Sequence, residues 1–166
     1  MSETLEAGLS RELKSLLDGG QAHATLDAAV ADLPFELQGI APPGLPYSPW
    51  QLLEHMRIAQ HDILHFSDNA DGSYQPMKWP KAYWPASAAP PSEDAWQQSV
   101  DAIQADRAAF EKLLATRSLT EKFSWGEGQT LLREAYLIAA HESYHLGELI
   151  VTRRLLGAWT PAKGHA

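Results

Sequence analysis

Two histidines separated by three residues stand near the end of the sequence, in the segment LIAAHESYHLGELIVTRRLLG at 137–157. His141, Glu142 and His145 form a literal H-E-x-x-H, the pattern in which zinc proteases place two metal ligands and a glutamate general base on one helix. Helical residues four apart lie side by side, so both rings can reach one ion. The spacing predicts a divalent-metal site and leaves the class of reaction open.

A protease of this type needs a third ligand downstream of the motif. The extended pattern H-E-x-x-H-x-x-G-x-x-H would place glycine at 148 and histidine at 151, where this sequence has Glu148 and Val151. The one histidine after the motif is His165, close to the end of the chain. We therefore do not expect an H-E-x-x-H protease.

A third candidate ligand lies upstream. His55 falls at the edge of the apolar face of a predicted helix that starts at Pro49. His55 alone is as well explained as a satisfied core histidine, but together with the pair at 141 and 145 it favours a metal site. His61 and His65 are also four apart, yet their face is polar, so we expect them in solvent.

Helical periodicity runs through the whole chain, and no stretch alternates as a strand does. The expected boundaries are a stop at Gly19–Gly20, N-caps at Thr25, Ser48, Ser92 and Thr130, and an end at Gly157. Pro49 and Gln51 complete a capping box at Ser48. Four main helices with a long, proline-rich connection over about 68–91 predict a single all-α domain, 1–166, built as a four-helix bundle.

Composition narrows the classes of partner. The chain has 166 residues, a formal net charge of -8 and no cysteine. Excess negative charge repels phosphate backbones and anionic lipid, so we expect neither nucleic acid nor membrane as a partner. The absence of cysteine and of an apolar leader predicts a cytoplasmic protein without disulfides.

With these residues placed, the chain resembles the DinB-like (DinB/YfiT-like) superfamily of metal-binding four-helix bundles. The resemblance covers nearly the whole chain and is strongest in SPWQLLEHMRIAQHDIL and GQTLLREAYLIAAHESYHLGELIVTRRLLGAW. The family pattern has one ligand histidine on the second helix and an H-x-x-x-H pair on the fourth. It therefore implies metal ligation by His55, His141 and His145, the residues that helix geometry selects.

The resemblance also implies a class of chemistry. It indicates one divalent ion, observed as zinc or nickel, with iron or manganese as alternatives in the cell, and a small-molecule transferase that uses a low-molecular-weight thiol as co-substrate. A metal-dependent hydrolase of a small amide or ester, and a non-catalytic metal- or ligand-binding stress protein, remain open. The sequence does not decide whether the protein turns over a substrate.

Four further residues are expected to line the pocket. Glu134 lies on the histidine stripe about two turns away. Glu148 follows His145 in the H-L-G-E continuation of this sequence, at a position where the family that the chain resembles often has glutamine. Trp79 and Trp84, in the long connection, either form a lid over the bundle mouth or cover the end of the core. Arg107 falls on the seam of the third main helix, where we expect its stem to extend outwards to solvent; the alternative is contact with an anionic substrate.

The last helix carries a second apolar stripe on the side away from its main face, formed by Leu137, Tyr144, Val151 and Leu155. A helix that is apolar on two sides is wedged between neighbours or packed against another subunit. Family members are often homodimers, so the resemblance favours a homodimer through this helix. The alternative is that the segment 26–33 or the aromatic connection covers the stripe.

Overall fold

A computed structural model describes residues 4–160, and the regular structure within them is helical. The α-helices are α1 (Leu5–Asp18), α2 (Leu26–Val30), α3 (Phe35–Gln38), α4 (Pro49–Ser67), α5 (Ala95–Thr116) and α6 (Leu131–Leu155), with a 3-10 helix at Lys81–Tyr83. α1, α4, α5 and α6 are the long elements. α4 packs against both α5 and α6, and α1 packs on the other side of the same two helices. The all-α prediction is confirmed.

The helix ends follow local capping chemistry. The Ser48 hydroxyl accepts from the backbone N–H of Gln51, whose side chain accepts from the N–H of Ser48, and Pro49 occupies the first turn. Thr25 and Thr130 cap α2 and α6 in the same manner. These ends fix where α4 and α6 start, and so the rotation at which each presents its histidines.

The start of α5 differs from the prediction. Ser92 does not cap the helix; its hydroxyl donates to the Asp94 carboxylate at 2.6 Å, and the helix begins at Ala95. α6 ends at Leu155, two residues before Gly157, which has a φ of 70°. The short helix α3 was not predicted either, because its four residues are too few to show a period.

The buried apolar residues form two separate cores. One joins α2 to the first half of α4, the start of α5 and the end of α6; the other joins α1 to the remaining halves of the long helices. On α6 the second core ends at Ala139 and the first begins at Leu146. His141, Glu142 and His145 therefore lie in a polar layer between two apolar ones.

The connection between α4 and α5 folds back onto α4. The hydroxyls of Tyr74 and Tyr83 both donate to the Asp62 carboxylate, at 3.1 and 2.5 Å. This anchor sets the height of the 3-10 helix along α4, level with the histidines. Over residues 4–160 no helix combines the length and the apolar character that a membrane span requires.

Candidate metal centre

Three histidines converge from two helices. α4 contributes His55 and α6 contributes His141 and His145; one nitrogen of each lies within 4.8 Å of the others. The ring centroids are 4.5 to 4.8 Å apart. His55 and His145 are buried and His141 is half-buried. Within the described part of the chain this is the group of acidic, histidine or cysteine side chains that could hold a metal.

Hydrogen bonds select which nitrogen of two rings is available. The backbone carbonyl of Tyr83 lies 2.8 Å from Nδ1 of His55, and a carboxylate oxygen of Glu148 lies 2.7 Å from Nδ1 of His145. Carbonyl and carboxylate oxygens only accept, so each Nδ1 carries the proton and each Nε2 keeps its lone pair. A metal-ligating histidine is ordinarily held in this way by its second nitrogen.

Burial favours the neutral form of two of the rings, His55 and His141, and the neutral form is the protonation state that binds a metal. Burial lowers the pKa of His55. It also lowers the pKa of His141, to about 4, with the neighbouring His145 and His55 contributing. Both pKa shifts favour the neutral, metal-binding form of these rings at neutral pH.

The spacing of the nitrogens fits one divalent ion. Nε2 of His55 and Nε2 of His141 are 3.0 Å apart. Two nitrogens that share an ion at about 2.1 Å each lie no more than roughly 4.2 Å apart. The first pair meets this limit, and the widest spacing of 4.8 Å exceeds it by about half an ångström, which a small ring rotation closes. The donor set therefore fits a divalent ion such as zinc.

Aromatic rings cover one side of the centre. Trp84 stacks on His55 with centroids 3.9 Å apart, and Tyr47 stacks on the far face of Trp84 at 3.9 Å. Trp79, also expected at the pocket, is 73% exposed and contacts Tyr83 rather than a histidine. Sequence reasoning missed Tyr47; its place just before the Ser48 cap, where a hydrophobic staple residue stands, was the available indication.

The glutamate of the H-E-x-x-H pattern does not face the three histidines. Both carboxylate oxygens of Glu142 accept from Nη2 of Arg107, at 2.6 and 2.8 Å, between α6 and α5. Burial raises the pKa of Glu142 even though Arg107 opposes that shift. Arg107 turns inwards to this carboxylate, so the expectation that its stem extends to solvent was wrong: the buried partner on α6, 35 residues further along the chain, decides its direction.

The remaining candidate residues are not part of the group of three histidines. Glu134 is buried, its carboxylate accepts from Arg133 at 2.7 Å, and burial raises its pKa. His61 and His65 contact each other with tilted rings on the exposed side of α4, where His61 pairs with Asp106 at 2.9 Å. Neither of these two histidines joins the group of three.

The family model of the DinB superfamily matches residues 20–149, well over half of the chain. The chain belongs to the DinB superfamily. No curated protein and no solved structure matches this DinB-superfamily chain. The matched range includes His55, His141 and His145 together with the Tyr83 and Glu148 groups that orient two of them.

Proposed function

We propose that this DinB-superfamily protein is a divalent-metal-dependent enzyme that transfers a small-molecule group with a low-molecular-weight thiol as co-substrate. The observation that carries the proposal is the set of three convergent histidines, two of which have Nε2 freed by a hydrogen bond at Nδ1. Three protein ligands leave coordination positions open, as in catalytic rather than structural sites. Zinc or nickel suits imidazole ligands, and iron or manganese are alternatives.

Each protein group has a definite task in this proposal. When bound, a divalent ion lowers the pKa of a thiol or water at an open position. His55, His141 and His145 hold the ion; the Tyr83 carbonyl and the Glu148 carboxylate fix the orientation of two of these rings. Trp84 shields one face of His55 from water.

The nearby carboxylates are already hydrogen-bonded, and this favours a thiol over water as the nucleophile. Hydrolysis ordinarily uses a general base, but Glu142 is bound by Arg107 and Glu148 by His145. A free thiol has a pKa of about 8.5 against about 15.7 for water, so a thiol beside a bound ion would need no protein base to ionise. A cytoplasmic location, where small thiols stay reduced, is part of the proposal.

The proposal includes a homodimer through α6. Leu137, Tyr144, Val151 and Leu155 are 38 to 65% exposed, so neither α2 nor the aromatic connection covers this stripe. Apolar side chains in a row on one helix suit a two-fold contact in which the stripe meets itself.

Cobalt substitution tests the proposal. Glutathione added to cobalt-loaded protein is expected to produce a sulfur-to-cobalt charge-transfer absorption, and the His61→Ala control should behave like the wild type. His145→Ala should show no such band. Cobalt binding without any thiol band would refute the thiol step; ester hydrolysis by the same sample would then support the hydrolase, and its absence the non-catalytic binding protein.

A further inference from the structure

A cavity of about 310 Å³ lies between α6 and the segment before α4, next to the metal centre but not part of it. Leu52 forms its floor, Tyr47 and Tyr144 stand at its sides, and Gly147, Glu148 and Val151 line the α6 wall. Its volume is at the lower end of the range for small-molecule sites. His145 presents Nδ1 to Glu148 and keeps Nε2 for the ion, so the cavity and the ion lie at different edges of that ring.

The cavity combines a mostly apolar lining with one charged group. The surface is mostly apolar, and Glu148 is the one residue among those that line it with an ionisable carboxylate. One oxygen of this carboxylate accepts from His145, and over residues 4–160 the other has no hydrogen-bond partner. The Glu148 side chain is 36% exposed, so water reaches this oxygen, and a charged donor that displaces the water forms the stronger, charge-assisted hydrogen bond.

Two tyrosine rings add to the preference for a positive charge. Tyr47 and Tyr144 both line the cavity. Tyr144 contacts His145 edge to face and is still 65% exposed. Aromatic faces attract organic cations. The chain's net charge of -8 raises the local concentration of cations further.

We infer that this cavity binds a small organic cation: a primary or substituted ammonium group carried on a short apolar body. The ammonium group meets the free oxygen of Glu148, and the apolar body lies against Leu52 and Val151. The site does not depend on a bound metal ion, so it goes beyond the thiol-transfer proposal and is tested separately from it.

The test compares three phenylalkyl probes of similar size and different charge. 2-Phenylethylamine, 2-phenylethanol and 3-phenylpropionate are titrated into the full chain while chemical shifts are followed by NMR, once with zinc and once after treatment with EDTA. The amine is expected to bind about tenfold more tightly than the alcohol, the difference between a charged and a neutral hydrogen bond, and the acid to bind least, in both samples.

Two variants and one control locate the site. A Cβ at Gly147 meets no atom within 4 Å, so Gly147→Leu is expected to fold, keep zinc and lose all three probes because its side chain fills the cavity. Glu148→Gln should bind amine and alcohol about equally. Ala108→Leu, which adds the same side chain at an exposed position of α5, should bind as the wild type does.

Equal binding of amine and acid by the wild type would overturn the inference. So would probe binding that survives Gly147→Leu. Tyr144 and Val151 belong both to the cavity and to the α6 stripe of the proposed dimer, so a wild type that binds none of the probes because a second copy closes the cavity would overturn the inference as well. Failure of the amine together with normal zinc and thiol binding would leave the transfer proposal standing. Amine binding by a protein that binds no zinc would leave the cation site standing and refute the transfer proposal.

Discussion

Replacing Glu142 by leucine is expected to destabilise the protein without removing its metal. The Arg107–Glu142 pair is buried, with side chains only 14% and 13% exposed, in the polar layer between the two cores. Removal of one member of such a pair leaves a buried charge unmatched and costs 3–5 kcal/mol as an order of magnitude. We expect about 3 kcal/mol for Glu142→Leu, because the small exposed fraction lets water reach Arg107.

The pair as a whole is expected to contribute little. Burial raises the pKa of Glu142 in spite of Arg107. A carboxyl whose folded pKa is raised contributes stability that is lost as pH rises through that pKa, so ionised Glu142 costs the folded state at neutral pH. The double variant Arg107→Met/Glu142→Leu should therefore recover the stability lost in the single variant, or exceed the wild type by about 1 kcal/mol.

Urea unfolding followed by circular dichroism measures both variants, with zinc content measured on the same samples. Lys14→Met is the matched control: Lys14 pairs with Glu111, but its side chain is 52% exposed, so the loss of this pair should cost much less stability than the loss of Glu142. A Glu142→Leu protein as stable as the wild type, or a double variant less stable than the single one, would refute this reasoning. Loss of zinc from a folded Glu142→Leu protein would place Glu142 at the metal instead.

Three further outcomes are expected. Glu148→Ala should weaken zinc binding by about 10- to 100-fold in a chelator competition. Glu148→Gln should have an affinity between those of the wild type and Glu148→Ala, because an amide oxygen still accepts from Nδ1 of His145. Equal zinc affinity in all three proteins would contradict the role given to this carboxylate. In zinc-free protein His141 has a pKa of about 4 against 6.5 for a free histidine. As pH falls, the unfolded chain therefore takes up a proton at His141 at a higher pH than the folded protein does. The free energy of unfolding should fall as pH drops from 6.5 to 4. His141→Gln should flatten that curve, and an unchanged curve would show that another group is responsible. Sedimentation at micromolar concentration should give a dimer for the wild type and a monomer of 18.3 kDa with unchanged zinc content for Val151→Arg; a monomeric wild type would refute the contact.

Short-range patterns made much of this architecture predictable. The caps at Ser48 and Thr130 depend on residues three positions away, and the i, i+4 spacing of His141 and His145 is a property of one helix. The edge position of His55 on the apolar face of α4, taken together with the histidine pair on α6, made it a candidate ligand. Each of these features is set within a few residues of sequence, which is the range over which helix geometry acts.

The groups that complete the centre depend on contacts between distant segments. His55 is held by a backbone carbonyl at Tyr83, which any residue type would supply, so no side-chain pattern marks it. Arg107 meets Glu142 only because α5 and α6 fix their relative rotation. The stack of Tyr47 on Trp84 and His55 joins three separate elements. Tertiary packing determines these contacts, and periodicity within one helix contains no information about them.

Zinc stoichiometry after equilibrium dialysis is the most direct test of the three-histidine centre. The wild type and His61→Ala are expected to hold one zinc ion per chain, since His61 lies on the exposed side of α4. His55→Ala, His141→Ala and His145→Ala should each lose affinity by more than about 100-fold, beyond the effect of an orienting group, while remaining folded by circular dichroism. Unchanged zinc content in folded His145→Ala protein, or loss of zinc in His61→Ala, would contradict the assignment.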